Sequence, residues 1–220
     1  MRAGPPRPPR PPSGAEVAAL HVRRMIFEGR LRPGDRVPQD AVAAELGISR
    51  IPLREALIAL EREGWVRLEA HRGAFVTPLD ADGVRDHYHL YGITYGFAAA
   101  RAVERAPAGL ADRLDALARV VETTDDPVGL QEAVVAFHAA VVEAAGSRPV
   151  RVALRASPPL VPGSFFAVVP EAVEVERRGV RAVVERVRAG DGPGAEAAYR
   201  AMMREQADLV VAALRRRGVI

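Results

Sequence analysis

The stretch Leu46-Gly47-Ile48-Ser49-Arg50-Ile51-Pro52-Leu53-Arg54-Glu55-Ala56-Leu57 decides how the chain is read. Gly47 suits the end of one helix, because glycine takes the left-handed conformation there without a Cβ clash. Ser49 suits the start of the next, since its hydroxyl can satisfy an amide that the first turn leaves unpaired. From there Leu53, Ala56, Leu57 and Leu60 recur at i, i+3, i+4 and i+7. That spacing gives one stripe to bury and leaves Arg50, Arg54 and Glu55 on the open face.

Upstream, Ser13 offers a cap for a helix running to about Glu28, with Ala19, Val22 and Ile26 on one face. Gly29 ends it, Pro33-Gly34 makes a turn, and a short helix follows Pro38 with Val42 and Leu46 on one side. Downstream, Gly64 stops the third helix. Trp65 to Leu68 and Phe75 to Pro78 then read as two short strands joined by Glu69 to Gly73. Three helices followed by a hairpin predict a winged helix-turn-helix over residues 15–78. In front of it, residues 1–14 hold six prolines together with Arg2, Arg7 and Arg10. Proline removes amide donors and favours extended backbone, so this segment reads as a flexible arm able to touch phosphate.

Beyond Pro78 the pattern is helical almost throughout, with helices expected near Ala81 to Ala106, Ala108 to Glu122, Pro127 to Ala145, Arg148 to Ala156, Pro170 to Ala189 and Pro193 to Arg216. Pro158-Pro159-Leu160-Val161-Pro162-Gly163 cannot continue a helix. Residues 79–220 therefore predict an all-helical bundle of about six helices, and the fold class is mainly α.

Composition agrees. With 49% hydrophobic and 27% charged residues the chain can bury a core, and with only 5% aromatics that core must be built of Ala, Val and Leu. All 31 basic residues are Arg, against 28 acidic ones. Residues 1–78 hold 13 Arg and 9 Asp or Glu, whereas residues 79–220 hold 18 and 19, so a polyanion is best met by the N-terminal third. The absence of cysteine excludes disulfides and Cys-ligated zinc, and a reducing cytoplasm is the expected home. The N-terminus lacks the apolar stretch of a secretory signal, and no apolar run of 18 residues is apparent, so no membrane partner is expected.

Arginine is the side chain best shaped to bridge guanine O6 and N7 or to clamp phosphate, and a third helix held by two others presents it to a major groove. Arg50 and Arg54 stand a turn apart for that purpose, with the alternative that they only solvate a surface and pair with Glu55. Ser49 and the neighbouring amides suit a phosphate, Pro52 belongs to the same turn, and Arg72 beside Gly73 suits a minor groove.

These residues carry a resemblance. Gly29-Arg30-Leu31-Arg32-Pro33-Gly34-Asp35-Arg36-Val37, the stretch quoted first, Leu60-Glu61-Arg62-Glu63-Gly64-Trp65-Val66 and Arg72-Gly73-Ala74-Phe75-Val76 occur in the order found in the GntR family of bacterial transcription regulators. Ile51 departs from it, at a place usually held by threonine. Residues 79–220 resemble the helical ligand-binding domain of the fatty-acid-regulator branch, through Leu79-Asp80, Phe137-His138 with Ala144-Ala145-Gly146, and Ala189-Gly190-Asp191. The resemblance implies double-stranded DNA as partner and a homodimer on a palindromic operator. It also implies a ligand-responsive repressor and no enzyme, with a ligand-insensitive dimer as the alternative and a helical-domain enzyme as a remote one.

In many such relatives one carboxylate and three histidines hold a metal. Carried over, those places fall on Val134, His138, Val180 and Met202, so only one ligand is kept and neither metal nor other cofactor is expected. His87 and His89, two apart on a helix, point to different faces and supply no replacement. His138, Tyr91, Tyr95 and Met202 are the candidate effector contacts, against ordinary packing for the phenols and a satisfied core histidine. Two phenols where relatives often show an arginine and an acidic residue suit a small organic effector of low charge. Arg101 or Arg177 would be the compensating cation for an acid.

Overall fold

A computed structural model describes residues 12–157 and 159–220. Arg2, Arg7 and Arg10 of the expected arm, and Pro158, lie outside the described residues. The chain divides into two units, with the boundary between Pro78 and Leu79.

In the first unit, α1 (Gly14–Phe27) opens with a reciprocal cap. The Glu16 amide donates to Ser13 Oγ at 3.2 Å, and the Ser13 amide to Glu16 Oε2 at 2.6 Å. α2 (Gln39–Leu46) ends at Gly47, whose φ of 63° is the left-handed stop expected there. α3 (Arg50–Arg62) buries Leu53, Ala56, Leu57 and Leu60, the predicted stripe. Each buried leucine contributes about 1.5–3 kcal/mol, which holds α3 down and its arginines out.

The hairpin differs in detail from expectation. β1 (Val66–Glu69) and β2 (Gly73–Val76) are antiparallel, with Val66 opposite Val76 and Glu69 opposite Gly73. β2 thus starts two residues before Phe75 and ends before Pro78, because the reversal is completed within residues 70–72, where His71 takes a left-handed φ of 60°. On the other side of β2, Arg36 bridges to Phe75, and the Val37 amide donates to Ala74 O at 2.9 Å. This strip is too short to show alternation in the sequence.

The second unit holds α4 (Ala81–Arg105), α5 (Leu110–Thr123), α6 (Pro127–Ala145), α7 (Arg148–Ala156), α8 (Phe165–Val168), α9 (Ala172–Arg188) and α10 (Gly192–Arg216). The one-turn α8 is additional to the six helices expected. Asp80, Asp126 and Asp191 cap α4, α6 and α10, accepting from the amides of Gly83, Gly129 and Gly194 at 2.7, 2.7 and 2.8 Å. α4 lies close on α10 because Gly92 and Gly96 have no side chains there. A Cβ on Gly92 would be 3.2 Å from Arg200 Cα, and one on Gly96 would be 3.0 Å from Glu196 O.

α6 corrects one reading: by length and composition it is apolar enough to cross a membrane. It packs on both α4 and α5, however, and buries Leu130, Val134, Phe137 and Val141 there, as a core helix does.

Candidate DNA-contacting face and effector cavity

The open face of α3 carries Arg50, Ile51 and Arg54, all exposed, with Ile51 at 72% of its free area. Arg50 Nη2 lies 2.9 Å from Asp40 Oδ1, an ion pair open to solvent on both sides. Arg54 pairs with neither Glu55 nor any other carboxylate among the described residues. Ser49 is the N-cap by backbone geometry, yet its hydroxyl makes no capping bond. Pro52, in the first turn where a missing amide costs nothing, is half-buried and packs beside Gly14, where a Cβ would meet it at 3.3 Å. In the wing, Arg72 Nη1 sits 2.5 Å from Glu69 Oε2, and its guanidinium lies 5.5 Å from the Phe75 ring centre. Gly73 has a φ of 108°, and a Cβ on it would lie 3.0 Å from Arg36 Nε.

This arrangement offers two guanidinium groups, one unengaged hydroxyl and one exposed isoleucine along a single helix face. Guanidinium forks can read guanine or hold phosphate, and the isoleucine suits contact with a thymine methyl. The Arg50–Asp40 pair does not oppose this, since exposed pairs are worth only about 0–1 kcal/mol and are readily exchanged.

The second unit holds a cleft of about 410 Å³ that opens to solvent, within the range of small-molecule sites. His138, Tyr91 and Tyr95 meet in its lining, but Met202 does not. Met202 is buried with its sulfur filling the space above Gly179, and Met203, one residue along α10, takes the lining position. Arg101 and Arg177 are absent from the cavity: Arg101 pairs with Glu104, while Arg177 is held by Thr124 O, Asp125 and Glu174. The arginines that line it are Arg151 and Arg155, both exposed on α7.

The deep end is polar. His138 Nδ1 is 3.0 Å from the Tyr199 hydroxyl, and its Nε2 is 3.2 Å from Glu176 Oε1. At the second distance the ring N–H is not aligned for a hydrogen bond, and Oε1 has no hydrogen-bond partner among the described residues. Gln206 Nε2 donates to the other oxygen, Oε2, at 2.5 Å. Burial, with the Glu176 carboxylate adding to it, pushes the Tyr95 phenol up to about 12. Burial first, a neighbouring phenol next and Glu176 last raise Tyr88 and Tyr199, while burial and then Tyr95 raise Tyr91. All four phenols therefore remain protonated at neutral pH. The Tyr91 hydroxyl donates to Ser157 O at 2.5 Å. His87 is pushed down by burial, which favours its neutral form, whereas His89 is exposed.

Residues 15–76 match the bacterial regulatory proteins of the gntR family, and residues 96–205, half of the chain, match the FCD domain. An HTH-type transcriptional regulator from the TAR-I ttuE-ttuC' intergenic region of Agrobacterium vitis is 30% identical over 141 residues, 60% of this chain and 82% of its own. The chain belongs to the GntR family, with an FCD domain as its second half. An HTH-type regulator of Mycobacterium tuberculosis is 33% identical over 151 residues, covering 69% of this chain and 62% of that relative's length. The fold is similar to that of E. coli McbR/YncC, with a TM-score of 0.62 and 16% identity over 92% of this chain and 99% of that one. Both matches are to regulatory proteins, the first over the winged-helix unit and the second over the helical one.

The metal set that many FCD relatives carry does not fit the residues present at those places here. Val134 and Val180 offer hydrocarbon, Met202 a thioether turned to Gly179, and only His138 and Glu176 offer ordinary ligands near one another. One imidazole and one carboxylate fall short of the three or four protein ligands that such a centre needs. Glu176 and Gln206 are the residues that sequence reasoning misses. Ala172, Glu176 and Val180 recur every fourth residue along the buried side of α9, and Tyr199, Met203, Gln206 and Val210 follow at steps of four, three and four along α10. A carboxylate or carboxamide within an apolar stripe is the signal that points to them.

Proposed function

We propose that this GntR-family chain is a sequence-specific DNA-binding transcriptional regulator that acts as a homodimer on a palindromic operator, as a repressor. A small organic molecule in the FCD cavity alters its grip. The observation that carries this reading is the open face of α3, where Arg54 stands unpaired beside Arg50 and the unengaged Ser49 hydroxyl. The wing residues Arg72 and Gly73 support a second contact, with Pro52 supporting the helix turn. A cavity with a polar deep end favours ligand response over a ligand-insensitive dimer. Homodimerisation is supported by Leu90, Ile93 and Phe97, exposed at i, i+3 and i+7 on α4. The regulator works in the cytoplasm without a resident metal.

Selection of bound sites from a random duplex pool tests this reading. Enrichment of a two-fold symmetric site is the expected result, and a pool with no enriched palindrome overturns the dimeric regulator.

A further inference from the structure

We infer that the FCD cavity is built for an organic amine, whose protonated nitrogen docks on Glu176 beneath the rings of Tyr88, Tyr91 and Tyr95. This rests on the reading of the cavity as an effector site and narrows the low charge expected of the effector to a single positive one.

The first ground is Glu176 itself. It is only 2% exposed and lines the cavity, yet one of its two oxygens is left without a hydrogen bond. A buried carboxylate with an idle oxygen is costly, and a ligand that brings a donor relieves that cost. His138 does not relieve it, since its Nδ1 is engaged by Tyr199 and its Nε2 is misaligned.

The second ground is what lines the same cavity. The hydroxyls of Tyr88 and Tyr95 make no hydrogen bond among the described residues, so their lone pairs remain open to a donor. Their rings, with that of Tyr91, stand in edge and tilted contact, Tyr91 to Tyr95 at 5.8 Å and Tyr88 to Tyr91 at 6.4 Å. Aromatic faces attract cations, and the attraction strengthens where water is excluded. An ammonium is a charged donor with several hydrogens and matches all of these features at once.

The third ground is what a carboxylate ligand would meet. At the deep end it would face Glu176, a like charge, and the cavity's arginines lie on exposed α7 instead. Much of the remaining wall, among it Val134, Val142, Leu160 and Phe165, is apolar and suits a hydrocarbon body.

Titration calorimetry of the full chain with 2-phenylethylamine, 2-phenylethanol and 3-phenylpropanoate tests the inference on nearly matched skeletons. The amine is expected to bind at least tenfold tighter than the alcohol, with the carboxylate weakest. Glu176→Gln keeps the shape and is expected to erase the amine's advantage while leaving the alcohol unchanged. Tyr95→Phe, which keeps the ring, should weaken the amine several-fold and guards against a misfolded Glu176 variant. Tightest binding by the carboxylate, amine affinity indifferent to Glu176→Gln, or no saturable binding of any of the three overturns the inference. Operator retention in the same samples separates the two readings. Amine binding that leaves DNA retention unchanged upholds the ligand class and overturns the proposed ligand response.

Discussion

Arg50 reaches back from α3 to Asp40 on α2, its Nη2 2.9 Å from the carboxylate oxygen, while Arg54 one turn later has no such partner among the described residues. The two arginines should therefore behave differently on DNA. Arg54→Ala is expected to cost about 1–3 kcal/mol on the cognate site and much less on random duplex. Asp40→Ala should release Arg50 and tighten binding to both, with a steeper dependence on salt. Fluorescence anisotropy at several salt concentrations reads both effects. Equal losses for Arg54→Ala on the two duplexes would reduce that residue to a phosphate contact.

The outward row on α4 makes a second prediction. Leu90, Ile93 and Phe97 are exposed at 59%, 43% and 49%. Phe97→Arg places a charge in the row without touching the core, so the helical signature in circular dichroism should be kept, while the melting temperature loses the dependence on protein concentration that association gives. Light scattering should report a monomer, and operator affinity should fall because one half-site is lost. A Phe97→Arg dimer would move the interface elsewhere.

Gly96 should resist replacement. In an exposed helix Gly→Ala gains about 1 kcal/mol, but here the new Cβ would stand 3.0 Å from Glu196 O, a backbone atom that cannot step aside. Overpacking of this kind costs about 1–3 kcal/mol, so Gly96→Ala should lower stability in thermal or urea unfolding. A more stable Gly96→Ala protein would contradict the close approach of α4 and α10.

The chain has four tyrosines, and all of them sit in or against the cavity. Each has its pKa raised above the ordinary 10.0, by burial first. A raised folded-state pKa stabilises fully below the unfolded value of 10.0, and the contribution is lost as pH climbs through the folded values, about 12 for Tyr95. Ultraviolet difference spectra should therefore show almost no phenolate at pH 10, then ionisation of all four as the second unit unfolds in stronger base. Ordinary titration of even one tyrosine near 10.0 would place that ring in water.

Much of the fold was legible because its boundaries are written in local chemistry. Ser13 with Glu16, Gly47 and the leucines of α3 each fix a helix within a few residues, and Pro127 and Gly146 do the same for α6. The strip at Arg36 was not legible, since pairing beside β2 arises from tertiary contact. The cavity was half legible. The place carried over from relatives fell on the right turn of α10, but neighbouring residues on a helix point about 100° apart, so Met202 faces Gly179 and Met203 faces the cavity. Glu176 stayed hidden because reasoning followed the places of absent metal ligands, and the polar group lies one turn before Val180.

The bare contact of Gly92 and Gly96 with α10 has a mechanical consequence. Where main chain rests on main chain there is no cushion of side chains to absorb a displacement, so α4 and α10 shift as one block. α4 also shows three tyrosines to the cavity and the row of Leu90, Ile93 and Phe97 to the outside. On the proposed ligand response, a guest that displaces Tyr95 is therefore expected to carry the outer row with it as a paired-helix lever.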